Sequence, residues 1–210
     1  MRACVYIDGF NFYHRRLKSS KTKWTNLKLL AQRLLDHEDE IQRIRYFTAD
    51  VSPKAGDEHA PARQAMYFRA LKTIPELEIH KGAFLTTTEV RPLACNPRVF
   101  VRVRDTEEKG SDVNLASHLL LDAFNDTFDV ALVLSQDTDL LEPLRIVSEE
   151  FGKTVVLGWF SDPQPGKRHR QYASAVRHIS DSMLTKSQFP NPVIGKGGAK
   201  ITRPDLWSFD

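Results

Sequence analysis

Four aspartates carry the chemistry that this sequence can do. Asp8 ends the apolar run Val5-Tyr6-Ile7, and Asp137 and Asp139 follow Leu132-Val133-Leu134-Ser135. Asp112 stands at the start of a helical stretch that Ser111 is placed to cap. Carboxylates gathered in one place repel, and each is costly to desolvate unless a cation compensates. A hard divalent ion is the simplest compensation. Mg²⁺ takes oxygen ligands, keeps several waters, and is commonly held by one or two carboxylates plus substrate phosphates. Phosphodiester hydrolysis is the reaction such a site supports. Zinc is not indicated, because Cys4, Cys95 and the histidines form no ligand-spaced set. Taken singly, each aspartate also suits an N-cap or a helix-dipole partner. A phosphatase nucleophile of the Asp-x-Asp-x-Thr type would need a second aspartate where Phe10 stands.

The elements that must hold these side chains follow from periodicity. Residues 5–7, 129–134 and 154–160 are apolar almost throughout and show no alternation, the pattern of strands covered on both faces of a parallel sheet. Residues 41–48 and 77–84 read as further strands, and 100–103 as a short one. Helical spacing marks residues 10–18, 26–35, 62–74, 113–124 and 140–151, the last closed by Gly152. A turn is expected at 53–56, and a loop over 86–97, which holds Pro92 and Pro97. Alternating strands and helices over some 160 residues predict a three-layer α/β domain with a central, mostly parallel sheet flanked by helices. In such sheets ligands bind beyond the carboxyl ends of the strands, where strand order reverses. If the strands ending at Asp8 and near Asp137 are neighbours, their carboxylates meet there.

With 210 residues, 41% apolar and 27% charged, the chain has the balance of one ordinary globular domain with a short appendage. Two cysteines exclude a disulfide scaffold. No apolar run approaches the roughly 20 residues of a membrane span. The N-terminal run is cut by Asp8 before it can form a signal-peptide core, so a cytoplasmic protein without membrane partners is expected. The net charge of +3 is unevenly placed: residues 161–210 carry eight Lys/Arg against four Asp. From about Lys186, prolines, glycines and few apolar residues read as a basic tail, giving a division into 1–185 and 186–210.

Three segments, Ile7-Asp8-Gly9-Phe10-Asn11-Phe12-Tyr13, Lys109-Gly110-Ser111-Asp112-Val113 and Ala131-Leu132-Val133-Leu134-Ser135-Gln136-Asp137-Thr138-Asp139, resemble the motifs of the NYN domain. They occur in the family's order, and the likeness extends over about residues 1–160. The NYN domain belongs to the PIN-like nuclease superfamily, and the nearest likeness is to its LabA-like branch. The resemblance implies a divalent-metal-dependent ribonuclease of endonucleolytic type, with Mg²⁺ or Mn²⁺ on Asp8, Asp112, Asp137 and Asp139. It also implies that Asn11 orients Asp8 or touches a phosphate. Gln136 replaces the glycine of the family form, and His118 stands where many relatives carry another aspartate.

Arg102, Arg104 and Lys109, which with Arg91 and Arg98 lead into the second motif, are either further substrate contacts or partners of the neighbouring Asp105, Glu107 and Glu108 on a solvated face. Tyr13, Phe12 and Trp24 offer either stacking surface for bases or core. Val193–Ile201 resembles the Gly-x-x-Gly loop of KH modules, too near the end of the sequence for a whole KH domain; either Lys196 and Lys200 there are phosphate contacts of a flexible tail, or the segment packs over the body through Ile201, Leu206 and Trp207. Two rival functions share these residues: a non-catalytic RNA-binding module and a nucleotide phosphatase.

Overall fold

The computed structural model describes residues 1–53, 55–160 and 164–208, without the side chain of Glu107. Lys54 of the expected turn, and Asp162 and Asp210 of the charge count, lie outside these. β1 (Arg2–Asp8) sits at the centre, because its side chains are apolar toward both layers. Ala3, Val5 and Ile7 enter one core, and Cys4 and Tyr6 enter the other. A short α1 (Gly9–Phe12), prolonged by a wide turn over Tyr13–Leu17, leads to α2 (Leu27–Leu34), which Asn26 caps. β2 (Glu40–Thr48), α3 (Ala60–Leu71) and β3 (Leu77–Lys81) complete the first half.

After the long hairpin of β4 (Ala83–Leu93) and β5 (Asn96–Lys109) come α4 (Ser111–Phe124), β6 (Val130–Leu134) and α5 (Leu141–Arg145). β7 (Thr154–Trp159), α6 (Lys167–Tyr172), β8 (Ala175–His178) and α7 (Asp181–Lys186) follow. A final small ribbon joins β9 (Val193–Ile194) to β10 (Lys200–Ile201). The central sheet has six strands in the order β3-β2-β1-β6-β7-β8, every pair parallel. α2 and α3 cover one face and α4 and α5 the other, so the expected three-layer α/β architecture is present. The chain builds from β1 to β3 on one side, then from β6 to β8 on the other. Strand order therefore reverses between β1 and β6.

Several expectations are corrected. Residues 86–97 are not a loop: with residues 83–85 and 98–109 they form the β4–β5 arm. Thr86, Thr87, Thr88 and Val90 favour extended backbone, and the prolines sit toward the free end, where a missing N–H costs little. Much of both faces of the arm is open to water, so no apolar alternation announces it. The strand expected at 77–84 breaks at Gly82, which separates β3 from β4. Ser111 does not cap α4. Gly110, with φ of 96°, is the cap residue, and the Ser111 hydroxyl donates to Glu108 Oε1 at 2.8 Å. The last segment packs on the body, as one of its two readings had it: Val193 and Ile201 are buried, and Trp207 packs on Trp24 and Tyr67. Among the described residues no helix is long and apolar enough to cross a membrane.

Candidate functional site

Strand parity aims the first carboxylate. On β1 the even residues Cys4 and Tyr6 face the α4–α5 layer, so Asp8 continues on that side. On β6 the odd residues Ala131 and Val133 face the same layer, and Ser135 continues there. Adjacent parallel strands with Ile7 opposite Leu134 then bring Asp8 and Ser135 together, and the Ser135 hydroxyl donates to Asp8 Oδ2 at 3.0 Å. The backbone N–H of Asn11 donates to Asp8 Oδ1 at 2.9 Å, so Asp8 also caps α1. Gly9 permits this sharp exit: a Cβ there would lie 2.7 Å from the Phe47 carbonyl oxygen.

Asn11 ties the first motif to the third, because its side-chain oxygen accepts from the Gln136 N–H at 3.2 Å. Ser135 does so as well, since its oxygen accepts from the Asp137 N–H at 3.1 Å. Asp137 Oδ1 in turn accepts from the Asp139 N–H at 3.0 Å, which holds the start of the turn before α5. Asp112 lies in the first turn of α4, half-buried, while Asp139 is exposed at the rim. The cap role and the cluster role thus coexist at Asp8 and Asp137.

The electrostatics show a group of acids that repel one another. Burial pushes the Asp8 carboxyl up to about 6, and the charges of Asp112 and Asp137 push the same way against the bonds from Asn11 and Ser135. Asp112 is also raised, first by burial and then by Asp137, Glu108 and Asp139. Glu108 is a member the sequence did not single out. It reads as a surface acid among basic residues, yet the arm delivers it to the head of α4. Ser135 was equally unassigned, although its parity with Asp8 was a usable signal.

Among the described residues no three His, Cys, Asp or Glu side chains converge tightly enough to grip a bare ion. Hard oxygen donors that repel one another suit an ion that keeps much of its water and needs only one or two direct carboxylates. Asp8, Asp112 and Asp137 are therefore donors of the kind a hydrated divalent cation takes.

The other expected contacts are distributed. Arg102 and Arg104 share one face of the arm, opposite Val90 and Thr88, and among the described residues they make no ion pair. Arg91 is on the opposite face and is neutralised by Glu89 and Asp105. Lys109 is at the root of the arm opposite Ala83. Phe84, on the Arg102 face, packs on Phe10 at 5.3 Å, so that face runs down toward Asp8. Phe12 and Trp24 are core, and Tyr13 is exposed. His118 is not with the acids: its ring lies 4.4 Å from His80 and 5.8 Å from Phe47. Lys196 and Lys200 are exposed on the ribbon, whose strand β10 packs against α3.

A model of the NYN domain family matches residues 2–182. Among curated proteins, the 6-hydroxy-3-succinoylpyridine 3-monooxygenase HspA of Pseudomonas putida is 24% identical over 245 aligned positions, covering 99% of this chain and 75% of that protein. Among solved structures, a Vibrio parahaemolyticus protein of unknown function superposes with a TM-score of 0.56 at 15% identity. That match covers 86% of this chain and 93% of the other, and it speaks for the fold alone.

Proposed function

The chain belongs to the NYN domain family, and from that premise we propose that it is a ribonuclease cutting RNA phosphodiester bonds with Mg²⁺ or Mn²⁺. One observation carries the proposal: Asp8, buried at the reversal of strand order, faces Asp112 and Asp137 and is pushed to about 6. Asp8, Asp112, Asp137 and Asp139 would hold the ion. When bound, such an ion supplies Lewis-acid stabilisation of the phosphoryl oxygens and activation of water.

The chain's own groups do the positioning. Asn11 and Ser135 fix both oxygens of Asp8, and Ser135 couples that carboxylate to the backbone of Asp137. One of the four acids would accept a proton from the attacking water. Arg102 and Arg104 bind phosphates along the arm and position the strand without reading its sequence. Lys109, Lys196 and Lys200 are secondary phosphate contacts in the same reading, with a domain boundary near residue 185.

The test is cleavage of a single-stranded RNA with Mg²⁺, with Mn²⁺ and with chelator, beside Asp137→Asn. Cleavage that needs the ion and drops at least about 100-fold in the variant is the expected result; metal-site losses commonly have this size. Binding without cleavage would make the chain an RNA-binding module. Phosphate release from mononucleotides alone, or turnover of 6-hydroxy-3-succinoylpyridine alone, would replace the ribonuclease reading.

A further inference from the structure

Beside the acids, on the side away from the hairpin arm, a cavity of about 740 Å³ opens between the exits of β6 and β7 and the helix α6. Its near wall is Gln136 and Asp139, and its other walls carry Arg15, Lys167, Arg168 and His169. Arg15, Lys167 and Arg168 are exposed, and among the described residues none of the three makes an ion pair. Three cations from two distant segments thus share one concavity with a single described carboxylate, that of Asp139. His169 is different. Its residue is only 7% exposed, its ring meets Trp159 edge-on at 5.2 Å, and its buried Nε2 has no hydrogen-bond partner among the described residues.

We infer that this cavity is a phosphate subsite, taking a nucleotide phosphate of the RNA strand adjacent to the bond held at the acids. Charge and shape support it. Guanidinium and ammonium groups match phosphate oxygens, and the cavity is an open trough rather than a closed pouch. Its place supports it too. Gln136 and Asp139 belong both to this wall and to the third acidic motif, so a phosphate seated here is one short step along the strand from Asp137. The arm would then hold the strand on one side of the acids and the cavity on the other. This inference rests on the ribonuclease reading for the identity of the ligand, and its test uses binding, without cleavage.

The affinity of a labelled single-stranded RNA is measured in chelator at several salt concentrations. The proteins are wild type, the double variant Lys167→Gln/Arg168→Gln, Arg15→Gln, and a charge-matched double variant at the C-terminal end of α3, Arg69→Gln/Lys72→Gln. The cavity double variant should bind about 10-fold more weakly, with a log–log salt slope flatter by about 1.4, at about 0.7 for each phosphate no longer neutralised. The α3 variant should lose less than 2-fold. Equal losses in the two double variants would overturn the subsite, because the effect would then be general charge. Adenosine 5′-monophosphate should compete with the RNA in wild type and not in the cavity variant, and failure to compete would also count against it. Comparing RNAs with a 5′-phosphate and a 5′-hydroxyl separates the two sources of that phosphate. A preference for the phosphorylated end assigns the cavity to a terminal group, and equal binding assigns it to an internal one. RNA held through the cavity by a protein that never cleaves would sink the ribonuclease reading alone. Cleavage by a protein whose cavity variant binds normally would sink the subsite alone.

Discussion

Two carboxylates on the α4–α5 side of β1 are equally buried, at 3% exposure each, and behave in opposite ways. Asp122, on α4, is gripped by Arg45, whose Nε and Nη2 donate at 2.8 and 3.0 Å, and by the Tyr6 hydroxyl at 2.8 Å. Although burial pushes it up, the Arg45 and Tyr6 bonds outweigh that push and hold its carboxyl below the usual range. Asp8, two residues along β1 from Tyr6, has only an N–H and a hydroxyl, and it is pushed to about 6. Burial is common to both. The cation makes the difference, and the acid without one is the acid left with an unmet electrostatic demand. One end of this face is closed structure, and the other is poised for a ligand of positive charge.

The largest effect should come from opening the closed end. Asp122→Ala leaves the buried Nε and Nη2 of Arg45 without their acceptor, while Nη1 keeps Glu78, a loss of about 3 kcal/mol. For a chain of this length that lowers the thermal midpoint by about 10 °C. A drop of less than 2 °C would deny the contrast between the two sites.

Asp8→Asn should act the other way round. Cleavage should fall at least about 100-fold, close to 2.7 kcal/mol of barrier, while the metal-free midpoint at pH 7 stays the same or rises. Asparagine still caps a helix, so the α1 turn keeps its bond. The pH profile sharpens this. A carboxyl raised from 3.8 to about 6 binds more protons folded than unfolded, so metal-free wild type should lose stability as pH rises from about 4 to about 6. Asp8→Asn should lack that fall. Asp122, held below its ordinary value, contributes stability that is present above about pH 4 and lost below it. A wild-type midpoint that is flat between pH 4 and 6 would contradict the assignment.

A smaller effect is expected from the ion itself. Mg²⁺ at about ten times its dissociation constant should stabilise wild type by about 1.4 kcal/mol, and Asp112→Asn should show less. Equal shifts in both would place the cation elsewhere. Least of all, Arg102→Gln/Arg104→Gln should flatten the salt slope of RNA binding by about 1.4 and spare the thermal midpoint. Arg91→Gln should leave the slope nearly unchanged, because Glu89 and Asp105 already neutralise that side chain.

What was legible in the sequence was local. The apolar runs before Asp8 and Asp137 mark strands covered on both faces, and such runs look the same in any context. The arm was not legible, because a hairpin exposed on both faces has no core to impose a period on it. Its true form changes the roles of its residues: Arg102 and Arg104 share a face, Arg91 is spent on an ion pair, and Glu108 reaches the head of α4. The wide turns that interrupt residues 10–18 and 140–151 were also invisible, since their apolar spacing still reads as helix.

The sequence by itself determined that strands run into aspartates, and residue type alone raised the expectation of a hard cation among them. Only the tertiary structure decided which acids meet and which are satisfied. Asp8 and Asp137 meet because β1 and β6 are hydrogen-bonded neighbours, although 129 residues apart in number. Asp122 is satisfied because Arg45 comes to it from β2, 77 residues away, and nothing along the chain links the two. Charge and burial are properties of neighbours in space, and a pKa is set by those neighbours rather than by the residue that titrates.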